Sequence, residues 1–151
     1  MKAEETIDFH IRRTWHAIAR MYNEQASQHG GTMSTGFVLL HIDINQGTPS
    51  TKLGPLMGME PHSLSRTLKT MEEKDLIYRK KDPTDGRGVL ICLTEYGMEK
   101  REAAKASVLK FNNVVFNKLS EDQARTFFKV MRTINELIDN KSVYLDAKKN
   151  S

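Results

Sequence analysis

The chain has 151 residues, 38% of them hydrophobic and 28% charged, with a formal net charge of +4. That is enough for one domain with a buried core, and the mildly basic balance permits a nucleic-acid partner without requiring one. A single cysteine excludes an intramolecular disulfide framework, no apolar run is long enough to cross a bilayer, and the polar start Met1-Lys-Ala-Glu-Glu5 lacks the apolar stretch of a signal peptide, so a soluble cytoplasmic protein with no membrane partner is expected.

Thr6 to about Gln28 reads as a first helix, in which Ile7, Ile11, Trp15 or Ala17, Ile18 and Met21 or Tyr22 form a broad apolar stripe that Gly30-Gly31 stops. A second helix is expected to take Ser34 or Thr35 as its cap, to run through Phe37, Val38, Leu40, His41, Ile42 and Ile44, and to stop at Asn45-Gln-Gly47. Next comes a short helical candidate from Thr48 to Met57, with Leu53, Leu56 and Met57 in line. Gly54-Pro55 falls inside it. Proline lacks a donor and crowds the preceding turn, so a kink or a 3-10 start is expected there.

Gly58-Met59-Glu60 turns the chain, and Pro61 suits the first position of another helix, where its missing N–H needs no partner. In that helix Leu64, Leu68 and Met71 share an inward face, while His62, Ser63, Ser65, Arg66 and Lys69 form a polar, cationic one. Two helices across a tight turn make a helix-turn-helix. A face of hydroxyls and cations suits a DNA major groove, where Arg or Lys reaches guanine acceptors, although taken alone it also suits an ordinary solvated surface.

Leu76 to Lys81 and Val89 to Thr94 are short runs rich in strand formers, separated by the turn sequence Asp82-Pro-Thr-Asp-Gly-Arg-Gly88. A hairpin following a helix-turn-helix makes a winged helix, so the fold class is mainly α (α+β) with a small β-hairpin wing. Arg87 at the tip is placed to enter a minor groove, and Arg79, Lys80 and Lys81 to meet phosphates. Asp85 either pairs with Arg87 or simply forms the turn. Ser50 and Pro61, at the starts of the two helices, complete the expected DNA-facing set.

From Thr94, as cap, to about Leu119 a long helix is indicated, with Met98, Ala104, Val108, Phe111, Val115 and Leu119 on its apolar side. Ser120-Glu-Asp-Gln123 then caps a last helix whose stripe is Ala124, Phe127, Met131, Ile134 and Ile138. The tail from Lys141 is expected to fray. Two long amphipathic helices expose more apolar surface than a winged helix covers, which favours burial against a second subunit. Residues 1–151 read as a single domain, with 1–30 and 95–140 as dimerisation helices around a DNA-binding region at 34–94.

The order Thr48…Leu53…Met59-Glu-Pro-His-Ser-Leu-Ser-Arg66…Leu68…Met71-Glu-Glu-Lys-Asp-Leu-Ile77, then Asp85-Gly-Arg-Gly-Val-Leu-Ile-Cys-Leu-Thr94, resembles the multiple-antibiotic-resistance regulator (MarR) family of bacterial transcription factors. Its most specific part is the wing signature, an Asp-x-Arg followed by a strand ending in Leu-Thr. The resemblance covers nearly the whole chain. It implies a homodimer that binds pseudo-palindromic operators in double-stranded DNA and is released by a small ligand, metal or oxidant. By the same analogy, His10, Arg13, Trp15 and His41 line a site for a small aromatic or carboxylated effector between the dimerisation helices and the winged helix, although a lone Trp on a helix stripe also reads as core. The resembling redox sensors carry a reactive cysteine near the N-terminus, where this chain has none, so Cys92 reads as a small packed hydrophobe.

The five histidines, His10, His16, His29, His41 and His62, show no tight spacing of the zinc-finger or ribbon type, and no cofactor is expected. Convergence of His10, His16 and His41 between the first two helices would instead make a metal-responsive regulator of the same fold. No nucleophile–base pair, phosphate loop or paired-carboxylate motif is visible, which argues against an enzyme. The expected function is a sequence-specific dimeric DNA-binding repressor released by a small molecule; the alternative is a winged-helix interaction module that does not read DNA.

Overall fold

The computed structural model describes residues 1–144. Its elements in order are α1 (Ile7–Ser27), α2 (Met33–His41), β1 (Thr48–Pro49), α3 (Ser50–Met57), α4 (Pro61–Glu73), β2 (Ile77–Lys81), β3 (Val89–Leu93), α5 (Glu95–Phe116) and α6 (Glu121–Asp139), with 3-10 turns at Ala3–Glu5 and Ser142–Tyr144. The chain divides into two units, residues 1–108 and 109–151.

The core of the first unit forms where the inward faces of three helices meet the sheet. Val38 and Leu39 of α2, Leu53 of α3, Leu64, Leu68 and Met71 of α4, and Ile77 and Ile91 of the strands are buried together in one cluster. The spacing of four and three in α4 therefore does place its apolar residues inward. Pro61 stands at the first helical position, and the Glu60 carboxylate accepts the His62 N–H at 3.4 Å.

Helix α3 is a continuous α-helix across Pro55, and its first turn is α-helical, not 3-10. The residue before the proline is Gly54, which has no Cβ to crowd the ring. Leu53 is buried and Met57 packs against the core, whereas Leu56 is 57% exposed and leaves the expected line.

Helix α2 departs from expectation at both ends. Its cap is Thr32, whose side chain accepts the Thr35 N–H, and it stops at His41 instead of running to Gly47. The stop has a physical cause. Ile42 is extended, the buried Thr48 hydroxyl accepts the Asp43 N–H at 2.8 Å, and the Asp43 carboxylate takes the N–H groups of Asn45 and Gln46. Gly47, at φ +74°, lies so close to Cys92 Sγ and the Ile91 carbonyl that a Cβ would clash with both.

The sheet has three strands, one more than the hairpin predicted, in the order β1-β3-β2 with antiparallel pairing throughout. Thr48 pairs with Ile91 and Pro49 with Leu90, and Pro49 is tolerated because β1 is an edge strand. Cys92 is buried in β3, as a packed hydrophobe should be.

Thr94 caps α5 as expected, accepting the Gly97 N–H at 2.9 Å. Its hydroxyl donates to the Asp75 carbonyl at 2.6 Å, with the Leu76 carbonyl at 3.1 Å. A Cβ on Gly97 would run into the Leu76 carbonyl, so only glycine permits this approach.

The second unit is described over residues 109–144. Helix α5 ends at Phe116, three residues before Leu119, and Ser120 opens α6 with a reciprocal capping box: its hydroxyl accepts the Gln123 N–H, and the Gln123 side chain accepts the Ser120 N–H. The Phe116 and Phe128 rings lie 6.2 Å apart. No residue of α6 is buried, and Phe127 and Ile138 are 55% and 59% exposed. The fraying expected from Lys141 falls, beyond Tyr144, outside the described residues; Ser142–Tyr144 is a 3-10 turn.

Replacing Gly97 by alanine should destabilise the first unit by roughly 2–3 kcal/mol, because the added methyl meets backbone instead of a movable side chain. Urea unfolding with an unchanged midpoint would show that this contact does not constrain the fold.

Candidate nucleic-acid interface

The outward face of α4 is built as the sequence predicts. Pro61, His62, Ser63, Ser65, Arg66 and Lys69 are all exposed, and neither Arg66 nor Lys69 belongs to an ion pair among the described residues. Two cations four and seven residues after His62 thus stand on one surface, free to meet an anionic partner. Ser50 is half-buried at the first position of α3.

The wing loop is stiffened from within. The Asp82 N–H donates to the Gly88 carbonyl at 3.0 Å and the Gly88 N–H to the Asp85 carbonyl at 2.9 Å. One Asp82 oxygen accepts both the N–H and the hydroxyl of Thr84, at 2.9 and 2.7 Å. These bonds, the backbone one foremost, hold the Asp82 carboxyl below its usual range, and the charge of Lys52 adds to the effect. The Asp85 carboxylate accepts the Arg87 N–H at 3.0 Å. No ion pair joins Asp85 to Arg87, so the turn-forming role of Asp85 is the one observed and the guanidinium stays exposed at the tip.

The other predicted wing cations differ from one another. Lys80 is exposed and in no ion pair among the described residues, whereas Arg79 Nε lies 3.3 Å from the Glu72 carboxylate of α4. Lys52, exposed on α3 and electrostatically felt by Asp82, belongs to the same cationic surface; nothing in the local sequence pattern marked it.

The histidines do not converge. Among the described residues no three His, Cys, Asp or Glu side chains group as a metal site. His10 Nε2 donates to the Glu4 carbonyl and His41 Nδ1 to the Phe37 carbonyl, each at 2.7 Å, so each ring is committed to main chain of its own neighbourhood.

A cavity of about 290 Å³ lies instead between the end of α1, α2, the segment after α4 and the first half of α5. Tyr22, Phe37, Leu76 and Tyr96 give it apolar walls, and Lys74 and Lys100 supply cations. Lys100 Nζ lies 5.3 Å from the Tyr96 ring centre. None of His10, Arg13, Trp15 or His41 lines this cavity; His10, Arg13 and Trp15 are exposed along α1 and His41 is half-buried at the end of α2. The lining residues come from three separate stretches of chain, 22–40, 74–76 and 96–108, which no spacing within the sequence connects.

Residues 32–89 match the MarR family. The HTH-type transcriptional regulator SarZ of Staphylococcus aureus is 28% identical over 132 residues, covering 87% of this chain and 85% of the relative. The HTH-type transcriptional regulator YxaD of Bacillus subtilis, itself uncharacterized, is 25% identical over 118 residues, or 77% of this chain and 82% of the relative. In fold, the chain is similar to S. aureus MepR in a DNA complex, with a TM-score of 0.79 at 21% identity over 87% of this chain and 97% of the other. It is likewise similar to CouR of Rhodococcus jostii RHA1 bound to p-coumaroyl-CoA, with a TM-score of 0.78 at 24% identity over 89% and 94%. Among the described residues no helix is long and apolar enough to cross a membrane.

The lowered Asp82 pKa carries a sign: a depressed carboxylate favours the ordered loop above its unfolded value and loses that contribution as pH falls through the folded one. The Thr84 amide resonance should therefore titrate with a midpoint below the ordinary 3.8 and stay flat from pH 5 to 8. A midpoint at or above 3.8 would show that Thr84 does not brace the loop.

Proposed function

We propose that the chain, whose residues 32–89 match the MarR family, is a homodimeric, sequence-specific DNA-binding repressor of the winged helix-turn-helix kind, released from its operator by a small molecule. The observation that carries this reading is the pairing of an exposed α4 face, with Arg66 and Lys69 in no ion pair, and an internally braced wing presenting Arg87. Short hydrogen-bonding groups and an Arg suit base edges in a major groove, and an Arg on a hairpin tip suits a narrow minor groove. Pro61, His62, Ser63 and Ser65 share that base-facing surface, with Lys80, Lys52 and Ser50 as phosphate contacts.

Dimerisation is supported by apolar surface that the chain leaves uncovered: Ile7, Ile11 and Trp15 along α1, and Phe127, Leu137 and Ile138 along α6. A two-fold axis would set two α4 helices in successive major grooves, and the operator would be a pseudo-palindrome with half-sites about 34 Å apart. Such a regulator works in the bacterial cytoplasm, where the DNA is.

The cavity is the effector site that the geometry favours over the set His10, Arg13, Trp15 and His41. Aromatic walls and two lysines fit an aromatic carboxylate. Lys74 and Leu76, which follow α4 directly, form part of its lining, so an occupant that prefers one placement of this segment shifts the recognition helices away from operator spacing.

Selection of bound sequences from a random duplex library should enrich a pseudo-palindrome, and Arg66→Ala should lower affinity for that duplex by about tenfold or more while sparing random DNA. Equal losses on both duplexes would remove Arg66 as a base reader, and no enrichment would favour an interaction module. Once an operator is in hand, Lys100→Met should raise the concentration of aromatic acid needed for release by on the order of tenfold, read by fluorescence anisotropy. Release unaffected by this change would place the effector elsewhere.

A further inference from the structure

We infer that Glu72 withholds Arg79 from the DNA backbone and thereby sets how strongly the protein prefers its operator to random duplex, an inference that rests on the DNA-binding reading above. Ser65, Lys69 and Glu72 follow one another at four and three residues, so Glu72 shares the surface that carries the reading residues. It puts a negative charge at the C-terminal end of that surface. On the sheet, Arg79 is paired with Ile91 in the β2–β3 register and so points to the face that Ile91 buries, whereas Lys80, paired with Leu90, points to the other. The Glu72 carboxylate meets Arg79 Nε at 3.3 Å.

Two features make this contact more than a surface ornament. The other ion pairs among the described residues, Arg101–Glu102 and Arg125–Asp122, join neighbours within one helix; Glu72–Arg79 joins the recognition helix to the wing. Both side chains also keep about two fifths of their surface, at 44% and 39%, so a phosphate oxygen can compete for the guanidinium. Lys80, Lys81, Arg66, Lys69 and Arg87 have no such anion among the described ion pairs.

Each phosphate neutralised by a protein cation displaces counterions, and random-duplex binding consists almost wholly of that term. A guanidinium already neutralised by a carboxylate contributes little to it, and the carboxylate repels the backbone besides. Operator binding adds base contacts from α4 that Glu72 does not touch. The same negative charge therefore costs random DNA proportionally more than the operator.

The test measures affinity of the full-length protein for the selected operator and for random duplex across a salt series, with wild type, Glu72→Gln, Arg79→Ala and the double variant. Glu72→Gln should bind random duplex about threefold or more tightly, steepen its salt slope by about one per subunit, and lower the operator-to-random ratio. Arg79→Ala alone should leave the random-duplex slope at the wild-type value, and the double variant should lose the gain. A Glu72→Gln slope and ratio equal to wild type, or a slope reduced by about one in Arg79→Ala alone, overturns the inference while leaving the regulator reading intact. Wild-type protein that fails to bind DNA at any salt overturns both.

Discussion

The approach of the α5 backbone to the Leu76 carbonyl is the constraint on which the DNA-binding unit depends. The Leu76 N–H donates to the Met71 carbonyl, its carbonyl accepts the Thr94 N–H, and its side chain is buried in the core. Gly97 lies against the same carbonyl because it has no Cβ. One residue thus joins the end of the recognition helix, the base of the wing and the first turn of α5. Asp75, at φ 57°, makes the left-handed step that lets the chain leave α4 and enter β2. Leu76 and Tyr96 also line the cavity, so this joint and the cavity share a wall.

Charge is distributed over the proposed DNA-facing surface with a division of labour. Arg66, Lys69, Lys80 and Arg87 stand free of ion pairs among the described residues, while several acidic groups nearby in the sequence have partners of their own: Asp82 and Asp85 on the wing loop, Glu60 on the start of α4, Glu72 on Arg79. An acidic group that braces a loop through backbone N–H groups costs a nucleic-acid interface less than a bare one, because its charge is already satisfied locally. The net charge of +4 understates how cationic this surface is.

The apolar surface has a different logic. Helix α6 is capped at its start by a complete capping box, so its first turn is provided for without help from tertiary contacts. Its apolar stripe is not. Phe127, Phe128, Leu137 and Ile138 remain open, as does Trp15 on α1, and helices of this amphipathic kind draw most of their stability from burying one face. That imbalance is the physical ground for the proposed dimer.

Local pattern alone determined α4, its buried Leu64, Leu68 and Met71, the Pro61 start, the Thr94 and Ser120 caps, and the hairpin with its cationic tip. Each of these rests on interactions within about four residues or on the alternation of a single strand, so the amino-acid order contains the whole cause. The extent of α2, the pairing of β1 with β3, the Glu72–Arg79 pair and the cavity were decided only by tertiary structure. Thr48 ends α2 by bonding Asp43 and pairs across the sheet with Ile91, more than forty residues away. The cavity takes its walls from three distant stretches of chain, and His10 and His41 turn to nearby carbonyls instead of to each other. Partners so distant along the chain leave no periodicity behind, because what brings them together is the packing of elements whose own patterns are silent about their neighbours.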